Sequence, residues 1–188
     1  MLNIEIVNGI YYSRPGNIGN TVNKSIELDA GFDPAKWLNI HLYASMINIH
    51  SVSDFYTGEL NTQGTFYFIR PVFQFKLPHD WTAQFDGSYQ TKVTSAQFIT
   101  GQRGRMNAAL SKKLSASTTI KLVGNDIFYN FLNSGVINNL ANTRADWHNL
   151  SDTRSLVISL SYRFGKAIAD QRKHNANGAE SEQNRVRN

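Results

Sequence analysis

The chain has 188 residues, a formal charge of +5 and no cysteine. The absence of thiols excludes a disulfide framework, a thiolate metal site and a cysteine nucleophile. The apolar runs are only a few residues long, far short of the roughly 18 that a membrane-spanning helix needs. The basic residues are spread along the chain rather than clustered, which argues against nucleic acid as a partner.

The first part of the chain alternates apolar and polar residues. Three strands are predicted here, at 3–12, 23–32 and 38–46. The first alternates only loosely and is followed by a loop at 13–20 that contains proline and glycine. A short turn at 33–36 joins the other two strands, so we expect them to form a hairpin.

The middle of the chain repeats this rhythm. A polar loop is predicted at 50–62, followed by an aromatic-rich strand at 65–76, in which Pro71 indicates a bulge or a skipped ladder bond. A short turn at 77–80 leads to the most regular strand, 81–90. One face of that strand carries Trp81, Ala83, Phe85, Gly87 and Tyr89, and the other face is polar throughout.

Three more strands complete the pattern, at 106–111, from 120 to near 125–128, and at 154–165. Long loops are predicted at 91–102 and 129–153, and a short turn at 113–117. In the last strand the apolar residues share one face because side chains alternate across a strand. These residues are Leu156, Ile158, Leu160, Tyr162 and Phe164.

About eight strands of about ten residues, with connections that alternate between short and long, are typical of outer-membrane barrels. The sequence therefore predicts an all-β fold: an antiparallel up-and-down meander of transmembrane strands in residues 1–165, part of a larger barrel. Residues 166–188 are predicted to form a disordered polar tail. The predicted lipid-facing residues are Leu38, Ile40, Leu42, Trp81, Ala83, Phe85, Tyr89, Leu156, Ile158 and Leu160.

Four segments carry a family resemblance, in the same order and spacing: 75–82 (FKLPHDWT), 104–113 (GRMNAALSKK), 123–128 (VGNDIF) and 160–166 (LSYRFGK). Together they resemble the C-terminal end of TonB-dependent receptors, of the outer-membrane β-barrel type found in Bacteroidota. The resemblance implies an integral protein of the outer membrane. In such receptors a barrel of about 22 strands encloses a plug and takes up siderophores, glycans or other nutrients.

The resemblance also implies partners: outer-membrane lipid, the barrel assembly machinery and the rest of the receptor. It makes Tyr162 and Phe164 the C-terminal aromatic signal that the assembly machinery reads. The chain has no signal-peptide pattern and no plug. We therefore expect a fragment that is not competent for transport alone.

No catalytic, cofactor or metal site is expected. The histidines have no metal-ligand spacing, and no nucleophile and base can be paired. Asp126 is expected to form a turn rather than to contact a ligand, and the segment 102–105, with two arginines, to be a solvated loop end rather than an anion site. Two other functions stay open: a self-contained eight-stranded barrel with a structural or adhesion role, and a soluble β-sandwich binding module.

Overall fold

The structure is a computed structural model that describes residues 2–7, 10–15, 19–55, 58–140 and 143–165. The predicted tail, 166–188, lies outside these residues. Within them no helix is long and apolar enough to cross a membrane. The strands of the described residues are β1 (Leu2–Val7), β2 (Ile10–Pro15), β3 (Gly19–Ala35), β4 (Leu38–Phe55), β5 (Gly58–Leu77), β6 (Trp81–Gln90), β7 (Val93–Ser95), β8 (Phe98–Thr100), β9 (Arg103–Lys113), β10 (Thr118–Asn125), β11 (Asn133–Leu140), β12 (Thr143–Asn149) and β13 (Ser155–Tyr162).

The main sheet has seven strands in the order β13-β10-β9-β6-β5-β4-β3, and every neighbouring pair is antiparallel. Three tight connections, at 36–37, 78–80 and 114–117, lie at one end of this sheet. Backbone bonds link them to neighbouring strands: Lys76 N donates to Trp37 O (2.8 Å) and Arg163 N to Ser117 O (2.8 Å). The predicted up-and-down meander, with all short turns on one side, is confirmed.

The predicted first strand, 3–12, is a hairpin instead. β1 and β2 pair with each other in a two-stranded sheet of their own, and Val7 is opposite Ile10. The pairing leaves the dipeptide Asn-Gly between the two strands in the sequence, which is a strong hairpin signal that a search for alternation overlooks. The meander of described strands therefore has seven members rather than about eight.

The predicted polar loop at 50–62 is also wrong, because β4 continues to Phe55 and β5 begins at Gly58. Polar side chains pair across these two strands: His50 Nε2 lies 2.9 Å from Asn61 Oδ1, and Asn48 Nδ2 donates to Thr65 Oγ1 (2.9 Å). Backbone hydrogen bonds between strands do not require an apolar face. A strand pair surrounded by water therefore needs no alternation of apolar and polar residues, and its sequence resembles a loop.

The two long loops contain strands as well. The segment 91–102 holds β7 and β8, and 129–153 holds β11 and β12. These four short strands form a second sheet in the order β12-β11-β8-β7. The second sheet lies at the end of the meander opposite the tight turns, and Thr62 Oγ1 of β5 donates to the carbonyl of Ala96 between β7 and β8 (3.2 Å).

Two local irregularities have clear causes. The register between β3 and β4 shifts between Phe32 and Ala35, so the turn predicted at 33–36 falls at 36–37. The ladder between β5 and β6 omits Arg70 and Pro71 yet resumes in the same register, with Ile69 opposite Tyr89 before the gap. Proline has no amide donor, so the skipped ladder bond is the correct one of the two predictions for Pro71.

The described residues contain almost no apolar core. The buried apolar side chains are Leu60 (1% exposed) and Ala96, where the second sheet meets β5. Large apolar side chains are exposed on every strand of the main sheet. A water-soluble sandwich of this size would bury most of them between two layers. This distribution contradicts the β-sandwich alternative.

The two edge strands of the main sheet run in the same direction. β3 ends at the tight turn 36–37, and β13 ends beside the tight turn 114–117. In the described residues β3 and β13 pair on one side only and not with each other. Direct closure would make them a parallel pair, whereas bacterial single-chain barrels are antiparallel with an even number of strands. An odd number of further strands is needed to close this sheet in an antiparallel barrel.

This topology predicts the outcome of engineered disulfides, for which the cysteine-free sequence is suited. Lys121 and Ser159 are directly opposite across β10 and β13, so Lys121→Cys with Ser159→Cys should oxidise readily in membranes. Asp29→Cys with Ser159→Cys joins the two edges and should form no disulfide, within one chain or between two. Migration on a non-reducing gel measures both. An efficient disulfide between positions 29 and 159 would contradict the open sheet.

Candidate functional site

Direct cross-strand pairs place most of the large apolar residues of the seven main strands on one face. Leu122 of β10 is opposite Ile158 of β13 and also opposite Leu110 of β9. Phe85 of β6 is opposite Phe73 of β5, and their neighbour Phe75 contacts Phe85 edge to face, with 6.0 Å between ring centroids. The residues predicted to face lipid all lie on this surface, which we call the apolar belt. The belt comprises every second residue of β3–β6, β9, β10 and β13, namely those on the same face of the sheet as Ile40, Phe85, Leu110 and Ile158.

The belt has the dimensions and the borders of a membrane surface. Trp81 and Tyr89 lie on it eight residues apart on β6. At about 3.3 Å per residue this is about 26 Å of strand, and a stretch of about nine residues is what a tilted strand needs to cross the hydrocarbon of a membrane. Lys112 Nζ lies 5.1 Å from the Trp81 ring centroid at the tight-turn border. Ile158 is 71% exposed. A water-facing strand rarely carries so many exposed apolar side chains.

Tyr162 is the last residue of β13, and Phe164 continues the belt just past the end of that strand. Their rings are in edge contact at 4.6 Å between centroids, and Phe164 is 86% exposed. The pair thus has an accessible aromatic surface at the tight-turn border. Its role as an assembly signal stays a prediction.

The opposite face of the sheet is more polar, although it also carries Phe66, Phe68 and Val72 of β5, and one hydrogen-bonded network of side chains crosses it. Gln84 Nε2 and Asn107 Nδ2 donate to the two oxygens of Asp86, at 2.9 and 2.7 Å. Asn107 Oδ1 in turn accepts from the backbone N–H of Asp126 (3.0 Å). These hydrogen bonds connect β6 and β9 to the first residue after β10.

Asp126 fixes the connection between β10 and β11. Its carboxylate is fully buried and accepts from the backbone N–H of Asn130 (3.1 Å) and of Phe131 (3.4 Å) and from the Thr153 hydroxyl. Burial raises the pKa of Asp126, but these hydrogen bonds and the charge of Arg105 outweigh burial and lower the pKa below 3.8. The carboxylate is therefore ionised at neutral pH. Its backbone φ of 46° and a bond from Tyr129 N to its carbonyl confirm the predicted turn.

The segment bound to the Asp126 carboxylate, residues 130–131, places the Phe131 ring against two arginines. The guanidinium carbon of Arg105 is 4.3 Å and that of Arg103 5.6 Å from the Phe131 ring centroid. Both arginines are half-buried on the polar face, opposite Ser88 and Gln90 of β6. The segment 102–105 is thus not only a solvated loop end, as expected from the sequence. No signal in the sequence indicates that Phe131 would meet it.

A second polar group lies on the same face between β3 and β5. Tyr43 donates to Glu27 (3.0 Å), the Arg70 guanidinium lies over the Tyr43 ring (5.5 Å), and His41 pairs with Asp29 (2.8 Å). These groups are largely exposed. In the described part of the chain, no three side chains of the metal-binding types come together.

We expect Asp126→Asn to loosen the segment that carries Phe131. Removing the charge weakens hydrogen bonds worth about 1.5–3 kcal/mol each, so the Asn130 and Phe131 amides should exchange with solvent at least about ten-fold faster. Because the folded pKa is depressed, the stabilisation is complete above pH 3.8 and is lost as the pH falls below that value. Hydrogen exchange read by mass spectrometry measures both effects.

Asp152→Asn is the matched control, because exposed Asp152 accepts only a 3.3 Å bond from the Arg154 amide among the hydrogen bonds of the described residues. It should change exchange of the Asn130 and Phe131 amides little. Equal effects of the two substitutions would show that Asp126 does not hold the segment.

Comparison with known proteins gives a single kind of evidence. A family model described as the outer membrane protein beta-barrel family matches residues 3–162. No curated protein and no solved structure matches the chain. The model covers most of the sequence, including the whole seven-stranded sheet. The chain therefore belongs to the outer membrane protein beta-barrel family, and its location is the outer membrane.

Proposed function

We propose that this chain is part of the barrel wall of a TonB-dependent nutrient receptor. In this proposal the apolar belt contacts lipid, the polar face lines the lumen, and the tight turns face the periplasm. The observation that carries the proposal is the pair of open edges that run in the same direction. An antiparallel barrel that contains this sheet needs an odd number of further strands, and in this proposal the rest of the receptor supplies them.

The polar face suits a wide lumen. The luminal side of β6 carries Thr82, Gln84, Asp86, Ser88 and Gln90, and that of β13 carries Ser155, Val157, Ser159 and Ser161. Small barrels fill their interior with their own, often bulky, side chains. The short polar side chains of these two strands leave room for water or a plug, whereas β5 carries the larger Phe66, Phe68 and Arg70 on the same face. This composition favours a segment of a large barrel, and transport by the segment alone is not expected.

A second candidate is a self-contained barrel with a structural or adhesion role. One further strand that runs away from the tight turns would close the seven-stranded sheet as an eight-stranded barrel, which is the smallest common type. The two candidates differ in whether nutrient uptake depends on the protein.

The proposed facing predicts different effects of the same substitution at adjacent positions. Ile158→Arg puts a charge on the lipid side and should cost about 2–4 kcal/mol near the middle of the bilayer. Ser159→Arg, directly after it, puts the charge into the lumen and should cost much less. The yield of assembled protein in outer membranes measures the difference. If both variants assemble equally well, the facing is wrong.

Uptake separates the two candidates. Deletion of the gene in the bacterium that encodes the chain should abolish uptake of an iron chelate or a glycan. In the parent strain an uncoupler should stop the same uptake, because the inner-membrane partner of such receptors draws on the proton gradient. Complementation with the Ser159→Arg gene should restore uptake, and complementation with the Ile158→Arg gene should not. Uptake that is unchanged by deletion for every nutrient tested would favour the structural barrel.

A further inference from the structure

We propose that Arg103, Arg105 and Phe131 form a binding site for a carboxylate or phosphate group at the mouth of the polar face. The two arginines begin β9, at the end of the sheet opposite the tight turns. The inference requires only the folded sheet and the docked Phe131 segment. It therefore holds whether the chain belongs to a receptor or forms a small barrel.

The arginines have more hydrogen-bond donors than the surrounding protein has acceptors. A guanidinium group has five N–H donors. Among the hydrogen bonds of the described residues, Arg103 makes one side-chain bond, from Nη2 to Gln90 Oε1 at 3.3 Å, and Arg105 makes none. The buried Nε–H of Arg105 has no acceptor. Both side chains are only half-buried, so an acceptor-rich ligand would bond to the remaining unpaired donors of the two guanidinium groups.

The nearby carboxylates are already committed. Asp126 accepts two backbone N–H groups and the Thr153 hydroxyl, and Asp86 accepts from two side-chain amides. In the described residues no carboxylate lies within ion-pairing distance of either guanidinium group. These two carboxylates offset part of the positive charge of the arginines, but they do not occupy the arginine donors. The donors stay available to a ligand from the lumen.

Phe131 holds the two like charges in one place. Both guanidinium groups lie against its ring, at 4.3 and 5.6 Å, and a cation is attracted to a ring face at these distances. The ring is itself anchored through Asp126, since the Phe131 amide donates to that carboxylate. Two planar forks at neighbouring positions on one face of a strand suit the paired oxygens of carboxylate and phosphate groups.

Arginine modification in isolated outer membranes tests the site in the intact chain. Phenylglyoxal reacts with accessible arginines, and mass spectrometry reads each position separately. Inorganic phosphate and succinate are the two probes, each compared with chloride at equal ionic strength. At about ten times its Kd, a probe should slow modification of Arg103 and Arg105 about ten-fold.

Arg70 is the internal control, because it lies on the same face and stacks on one aromatic ring without a second arginine beside it in that contact. Its reaction should not change. Protection by only one probe supports the site and identifies the ligand group. Equal slowing of all three arginines would show general charge screening, and no slowing by either probe at millimolar concentration would show that no anion binds. Both results overturn the proposal.

Two variants test the parts of the site. Arg105→Lys keeps the charge but removes the planar fork, so Arg103 should lose most of its protection. Phe131→Leu keeps an apolar side chain but removes the ring, and protection of both arginines should fall while the reaction of Arg70 stays constant. Full protection in both variants would show that the arginine pair on the Phe131 ring is not the site.

Discussion

Inside a bilayer, every backbone N–H and C=O group must be paired within the protein. A strand at the edge of a sheet satisfies only half of this requirement, and this sheet has two such strands, β3 and β13. The direction of those strands depends only on the number of strands between them. Five strands lie between them, an odd number, so the edges run alike and cannot satisfy each other in an antiparallel ladder. The need for further strands to pair with β3 and β13 follows from this one constraint more directly than from any side chain.

The same constraint explains which parts of the fold could be predicted. Where strands cross hydrocarbon, one face must be apolar, so alternation at Trp81–Gln90 or in the last strand predicts both the strand and its faces. Where strands continue into water, nothing demands alternation. The ends of β4 and β5 are held by backbone bonds and by polar pairs such as His50 with Asn61, and their sequence resembles a loop.

The surroundings of Asp126 and of the two arginines beside Phe131 could be predicted only in part. Asp126 after a strand indicates a turn, and the structure has that turn. Its partners lie 19 residues earlier, at Asn107, and 27 residues later, at Thr153. The segment that carries Phe131 folds back over β9, and the spacing of residues along a chain contains no information on where a long connection folds back. The arginine pair was visible in the sequence, but the aromatic ring that joins its members was not.

The strands of the main sheet differ in length, so the end of the sheet opposite the tight turns is uneven. β5 has 20 residues and spans about 66 Å along its axis, whereas β13 has 8 residues and spans about 26 Å. The β3–β5 side of the sheet therefore extends farther from the tight turns than the β13 side does. Leu60, which is excluded from water, lies in this longer part of the sheet, near the start of β5. The strand β5 thus has two different surroundings: its half near the tight turns belongs to the apolar belt, and its other half buries Leu60 beside the second sheet.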